Sequence, residues 1–125
     1  MTPFDLLVSS AVPRRANAPD YISLAALLHR PGLLGERAMN VRAGDFVPDL
    51  LCAIARIAMA HVRAMGRVDL EQLCSVVTES GVASPAALAL AMRTIARIGD
   101  LIPDAETVDR AVADLIARRR AGGAR

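Results

Sequence analysis

An all-α domain of about five helices is predicted by two features of this sequence. The hydrophobic fraction is 54%, yet Trp is absent and Phe4, Tyr21 and Phe46 are the only aromatic residues, so Leu, Ile, Val, Met and Ala must fill the interior. Ala and Leu lose little side-chain freedom in a helix, which makes such a core helix-friendly. The second feature is apolar residues recurring at three-and-four spacing between recognisable start and stop residues. At 125 residues the chain suits one domain with one core.

Residues 1–19 contain Pro3, Pro13 and Pro19 with Arg14-Arg15, and are expected to form an irregular N-terminal arm docking through Phe4, Leu6 and Leu7. A single helical domain is expected over residues 20–120. Its first helix takes Asp20 as cap and runs to Arg30, with Leu24, Leu27 and Leu28 on one face, until Pro31-Gly32 ends it. A short helical turn is read through Leu33 to Met39. The longest helix takes Asp45 as cap and ends before Gly66. Its stripe is Val47, Leu50, Leu51, Ile54, Ile57, Ala58, Val62 and Met65, while Cys52, Ala53, Ala55 and Met59 make the other sides apolar too. A helix apolar nearly all round is either central or half-covered by a partner chain.

Asp69, with Gln72 three residues on, opens the next helix at capping-box spacing. Leu70, Leu73, Cys74 and Val77 form its buried face, and Gly81 ends it as the residue best able to turn left-handed. Ser84-Pro85 is the strongest start signal in the chain, since Ser caps and Pro is pre-shaped for the first helical position. Leu88, Met92, Ile95 and Ile98 give that helix its stripe, and Gly99 is read as its end. Pro103-Asp104 starts the last helix, with Val108, Ala111, Val112, Leu115 and Ile116 inward. Arg118 to Arg120 near its end suit the helix dipole, which by itself accounts for them. Residues 121–125 are expected to be a frayed tail.

Several function classes are disfavoured. The longest uncharged run, Ser80 to Met92, has 13 residues and contains Gly81 and Pro85, whereas a membrane span needs about 20. Arg14 and Arg15 follow the apolar Phe4 to Val8 instead of preceding it, the reverse of a secretory signal, so a cytoplasmic location is expected. Cys52 and Cys74 read as buried free thiols. His29 and His61 are too far apart for a metal-binding pair, and no metal or cofactor is expected. All 15 basic residues are Arg, but net charge +2 is well short of the excess that alone suggests nucleic acid.

The stretch from Arg67 to Pro103 resembles the core of a winged-helix or helix-turn-helix DNA-binding domain. Arg67-Val68 match the strand of that pattern, Leu70, Leu73 and Val77 its first helix, and Gly81-Val82-Ala83-Ser84 its turn. Leu88, Ile95, Ile98, Gly99, Leu101 and Ile102 continue it into the wing. The resemblance implies a helix-turn-helix at residues 69–99 and at most a two-stranded ribbon at Arg67-Val68 and Leu101-Ile102. It also implies nucleic-acid contacts from Ser84, Arg93, Thr94 and Arg97. The solvent face of this second helix nevertheless offers Ala86, Ala87 and Leu90 beside its two arginines, poor in groups that read bases. Pro103 to Thr107 leave no room for a wing hairpin.

Arg56 and His61 resemble the Arg-x4-His motif of the HEPN ribonucleases, in which an Arg and a His from paired chains handle the scissile phosphate. That family follows its Arg with a polar residue, where Ile57 stands here, and in an Arg-rich chain the spacing arises readily by chance. No Ser-His-Asp or Cys-His arrangement, glycine-rich phosphate loop or inward carboxylate pair stands out. No catalytic residue is assigned and an enzyme is not expected.

Two functions remain open: a small DNA-binding or transcription-regulatory protein, and a non-catalytic helical interaction subunit, whether adaptor or complex component. A homodimer is expected from the apolar helix Phe46 to Met65 and from Leu90, so Leu90 and Met59 are the partner-binding residues of the second reading. Its partner is another copy or another protein; that of the first is DNA.

Overall fold

The computed structural model describes residues 3–12 and 14–123. Six helices follow one another: α1 (Pro3–Ala11), α2 (Ala18–His29), α3 (Asp49–Met65), α4 (Leu70–Ser80), α5 (Pro85–Leu101) and α6 (Ala105–Gly123). Among the described residues there is no strand. Arg67-Val68 are irregular and Leu101 is still helical, so the ribbon allowed for those residues is not formed.

The sixth helix is α1, in the segment expected to be irregular. Phe4 and Val8 lie one turn apart on it, and with Val12 they form a stripe that seats it on the core. Leu6 and Leu7, expected to dock it, point outward instead, at 59% and 41% exposure. Pro13, another expected marker of irregularity, lies outside the described residues.

At the centre is α2, which packs against both α5 and α6. Leu24, Ala25 and Ala26 are fully buried on it, and their small neighbours let α5 approach closely. The two helices come close at Gly99, where an added Cβ would stand 3.1 Å from the His29 Cβ. Gly99 was read as a helix stop. Its role is instead to admit α2, and α5 runs on to Leu101 before Pro103 stops it. An Arg30 guanidinium nitrogen donates to the Gly99 carbonyl at 3.1 Å near that helix end.

Between α2 and α3 the chain makes 3-10 turns at Pro31–Leu33, Glu36–Asn40 and Ala43–Asp45, of which the last two lie against α6. The Val47–Pro48 peptide is cis, and α3 starts at Asp49, not directly after Asp45. It ends as expected, with Gly66 in the left-handed conformation at φ 75°. Leu51, Ile54, Ala55 and Ala58 are its buried residues, whereas Val62 and Met65 are exposed.

The helix α4 begins and ends where the sequence indicated. Asp69 accepts the Gln72 N–H at 3.1 Å, and Gly81 closes the helix at φ 71°. The other half of the expected capping box is supplied from elsewhere: the Asp69 N–H donates to His61 Nδ1 at 3.3 Å. Ser84 caps α5 by accepting the Ala87 N–H at 3.1 Å, and Pro85 takes the first helical position. Asp104 caps α6 by accepting both the Thr107 N–H and the Thr107 hydroxyl. These bonds hold its carboxyl below the ordinary range, the backbone donor contributing most. The expected frayed tail continues as helix through Gly123, and Ala124 and Arg125 lie outside the described residues.

Candidate partner-binding surfaces

A cluster of charges ties the segment that precedes α3 to α2 and α6. Asp20, read from sequence as a helix cap, lies within α2 and is fully buried. Its carboxylate accepts a two-pronged bond from Arg118 of α6, at 3.1 Å and 2.8 Å, and the Val47 N–H at 2.8 Å. Asp45, also read as a cap, accepts the Arg42 N–H at 2.8 Å and Arg119 at 3.0 Å. Arg118 reaches the Asp45 carbonyl as well. Its hydrogen bonds to Asp20, aided by the charges of both aspartates, hold the guanidinium even above its high ordinary value, against the opposing effect of burial. The basic end of α6 is therefore an ion-pairing device, where the sequence suggested only a match to the helix dipole. Planar guanidinium forks suit such buried carboxylates better than an ammonium would.

These links fix the segment from Arg42 to Val47 against α2 and α6, and the chain just before it faces α3 across an open groove of about 640 Å³. The helix α3 contributes Arg56, Met59, Val62 and Arg63 to this groove, the segment opposite contributes Met39, Val41 and Arg42, and α2 contributes Leu27. Met39 is 87% exposed, the most exposed large apolar side chain described. Arg42, Arg56 and Arg63 are exposed, and none has a carboxylate within ion-pairing distance among the described residues. No residue lining the groove is acidic. Four of the lining residues, Leu27, Ala38, Val41 and Met59, also line a smaller adjoining cavity of about 40 Å³ that reaches Phe46 and Val112. Ser23 borders that cavity, and its buried hydroxyl has no hydrogen-bond partner among the described residues.

The second exposed surface is the outer face of α5. Leu90 is 56% exposed there and Leu101 37%. Arg93 and Arg97 are exposed one turn apart, unpaired among the described residues, with Asp100 further along the helix. Of the other residues assigned to nucleic acid, Ser84 is occupied as the helix cap, and the half-buried Thr94 donates its hydroxyl to the Leu90 carbonyl at 2.9 Å. The neighbouring α4 is acidic: residues 69–101 carry Asp69, Glu71, Glu79 and Asp100 against the two arginines.

Leu90 and Met59, the partner-binding residues read from sequence, therefore lie on different surfaces. Met59 is half-buried within the groove. Arg56 lies at the groove and donates weakly to the Cys52 sulfur at 3.8 Å, while the His61 ring nitrogen is engaged with the Asp69 backbone. Five residues along a helix turn through about 140°, so the two do not share a face. Both cysteines are free, and no cluster of three potential metal ligands occurs among the described residues. No helix described is long and apolar enough to cross a membrane.

Sequence reasoning found Met59 but took Arg56 only as half of the Arg-x4-His resemblance and missed Arg42 and Arg63. The spacing of Arg56, Met59 and Arg63 was a usable signal, because it places all three on one stripe of α3. Arg42 carried no comparable signal, since it belongs to a segment without helical periodicity. Compared with known proteins, the chain matches no protein-family model, no curated protein and no solved structure.

Proposed function

We propose that this chain is a non-catalytic helical protein-interaction subunit that also self-associates as a homodimer. The observation that supports this most is the groove beside α3, apolar along its length and edged by three arginines without carboxylate partners among the described residues. Exposed apolar surface rimmed by polar groups marks interaction sites, and methionines such as Met39 and Met59 adapt readily to an incoming surface. The outer face of α5, with Leu90 and Leu101, offers a second contact surface suited to a copy of the chain.

A second reading is a DNA-binding or transcription-regulatory protein that uses α4 and α5 as a helix-turn-helix. Its support is the exposed, unpaired pair Arg93 and Arg97, one turn apart. The four carboxylates of residues 69–101 weigh against it, because phosphate binding is dominated by net positive charge at the contact. The HEPN-like ribonuclease reading draws no support beyond the spacing itself, because His61 Nδ1 already accepts the Asp69 N–H.

Two measurements on the unaltered protein separate these functions. Sedimentation velocity at tens of micromolar is expected to give a dimer that Leu90→Asp converts to monomer. Fluorescence anisotropy with a labelled DNA duplex at low salt is expected to give no saturable binding. Saturable binding would establish the DNA reading if replacing Arg93 and Arg97 with Ala flattened its log-affinity against log-salt slope by about two phosphate equivalents.

A further inference from the structure

We infer that the groove beside α3 receives an acidic amphipathic helix of a partner protein, with acidic residues seven apart and apolar residues between them. This rests on the interaction-subunit reading and names the partner's chemistry. Arg56 and Arg63 are seven residues apart, which on a helix means about 10.5 Å along the axis and nearly the same face. Met59 lies on that stripe between them and Val62 beside it. A helix laid along α3 meets the same repeat, so its acidic side chains at i and i+7 reach Arg56 and Arg63 while its apolar residues at i+3 and i+4 meet Met59 and Val62. Arg42 adds a third positive charge from the opposite side, and Met39 stands exposed to close over the incoming helix.

The charge of the groove decides the sign of the partner. All three charged lining residues are arginines, and the nearby Asp45 is already engaged by Arg119 and the Arg42 N–H. A basic or neutral helix would leave the arginines uncompensated, and like charges across an interface suppress wrong partners. The cavity behind Met59 gives depth to the centre of the contact: a flexible methionine shared between the groove and that cavity can shift inward as a leucine arrives. A second copy is a poorer occupant. The chain's own acidic helix, α4, exposes Leu70 and Val76, but its Glu71 and Glu79 are eight residues apart, about 80° round the helix, and so cannot meet Arg56 and Arg63 together.

The test is an anisotropy titration of the full chain with a labelled synthetic helical peptide of pattern Glu-x-x-Leu-Leu-x-x-Glu, and with its counterpart carrying Lys for Glu. The Glu peptide is expected to saturate and to bind at least about tenfold more tightly than the Lys peptide, with an affinity that falls as salt rises. The double variant Arg56→Glu with Arg63→Glu, both at exposed positions, is expected to keep its melting temperature and to reverse the preference. Equal binding of the two peptides, or a Glu-peptide affinity unchanged in the double variant, overturns the inference. So does saturable binding of sodium dodecanoate at the groove with no peptide binding, which would assign it to a lipid. Failure here with a Leu90-dependent dimer and no DNA binding leaves the interaction-subunit reading standing, whereas DNA binding through Arg93 and Arg97 removes both.

Discussion

Replacing Arg118 is the sharpest test of how the α2, α3 and α6 layers are tied together. Asp20 has no exposed surface and depends on three donors, two of them on one guanidinium. In Arg118→Met the stem still packs but the charge is gone, so a buried carboxylate keeps only the Val47 N–H. Leaving one member of a buried pair uncompensated costs about 3–5 kcal/mol, a large share of the 5–15 kcal/mol that holds a domain of this size together. The opposite replacement, Asp20→Asn, is gentler. The Arg118 side chain is 39% exposed and still donates to the Asp45 carbonyl, so water and that carbonyl satisfy it, and the expected loss is about 1–3 kcal/mol. Urea denaturation followed by circular dichroism measures both losses, and the double variant should fall short of their sum by more than about 1 kcal/mol, since the two residues share one interaction. A loss below about 1 kcal/mol for Arg118→Met, or a larger loss for Asp20→Asn than for Arg118→Met, would refute this reasoning.

Three further outcomes follow from single contacts. The only tyrosine, Tyr21, has its phenol pushed above the ordinary 10.0 by burial and then by the Asp20 charge. Its contribution to stability is therefore fully present below pH 10.0 and is lost as pH rises through the higher folded value, so the ultraviolet tyrosinate signal should appear later in the native chain than in urea. Gly99→Val should destabilise by about 1–3 kcal/mol, because its Cβ would already stand 3.1 Å from the His29 Cβ before the branch is added; an unchanged thermal midpoint would show that α2 and α5 can part freely. Ser23→Ala should stabilise by about 1 kcal/mol, since it removes a buried hydroxyl without a partner among the described residues and improves helix propensity; a loss of that size would mean that the hydroxyl is bonded in solution.

The helix boundaries that were legible in the sequence are those set by local chemistry. Asp69, Gly81, Ser84-Pro85, Gly66 and Asp104 act within a few residues of themselves, and each does in the fold what its residue type suggests. What was misread depends on partners far away along the chain. Asp20 and Asp45 stand before apolar runs as caps do, but their ligands, Arg118 and Arg119, lie 98 and 74 residues further on. Gly99 resembles a stop because a stop and a close-packing glycine look alike without the helix that approaches it. The prolines around α1 suggested an irregular arm, although Phe4, Val8 and Val12 already carried the helical repeat. In the groove the same division holds: the α3 stripe could be read, whereas the opposite wall comes from 3-10 turns placed by the core packing of Phe46 and by bonds to Asp20 and Arg119 far along the chain.

That wall explains why two aspartates are buried in so small a protein. Apolar residues at positions 20, 45, 118 and 119 could match the stability of the ion pairs, since buried pairs often gain little over a well-packed hydrophobic replacement. They would not define where residues 42–47 lie. That segment has one short 3-10 turn of its own, closed by Asp45 accepting the Arg42 N–H, and its direction is set by bonds to the rest of the fold: the Val47 N–H to Asp20, Arg119 to the Asp45 carboxylate, and Arg118 to the Asp45 carbonyl. Hydrogen bonds of fixed direction select one arrangement where apolar contact would accept several. Arg42 and Val41 are thereby held opposite Arg56 and Met59, and the groove keeps a fixed width between a helix and a wall that has little regular structure of its own. The paired arginines of α6 place the wall, and the arginines along the groove, without carboxylate partners among the described residues, are left to meet a partner.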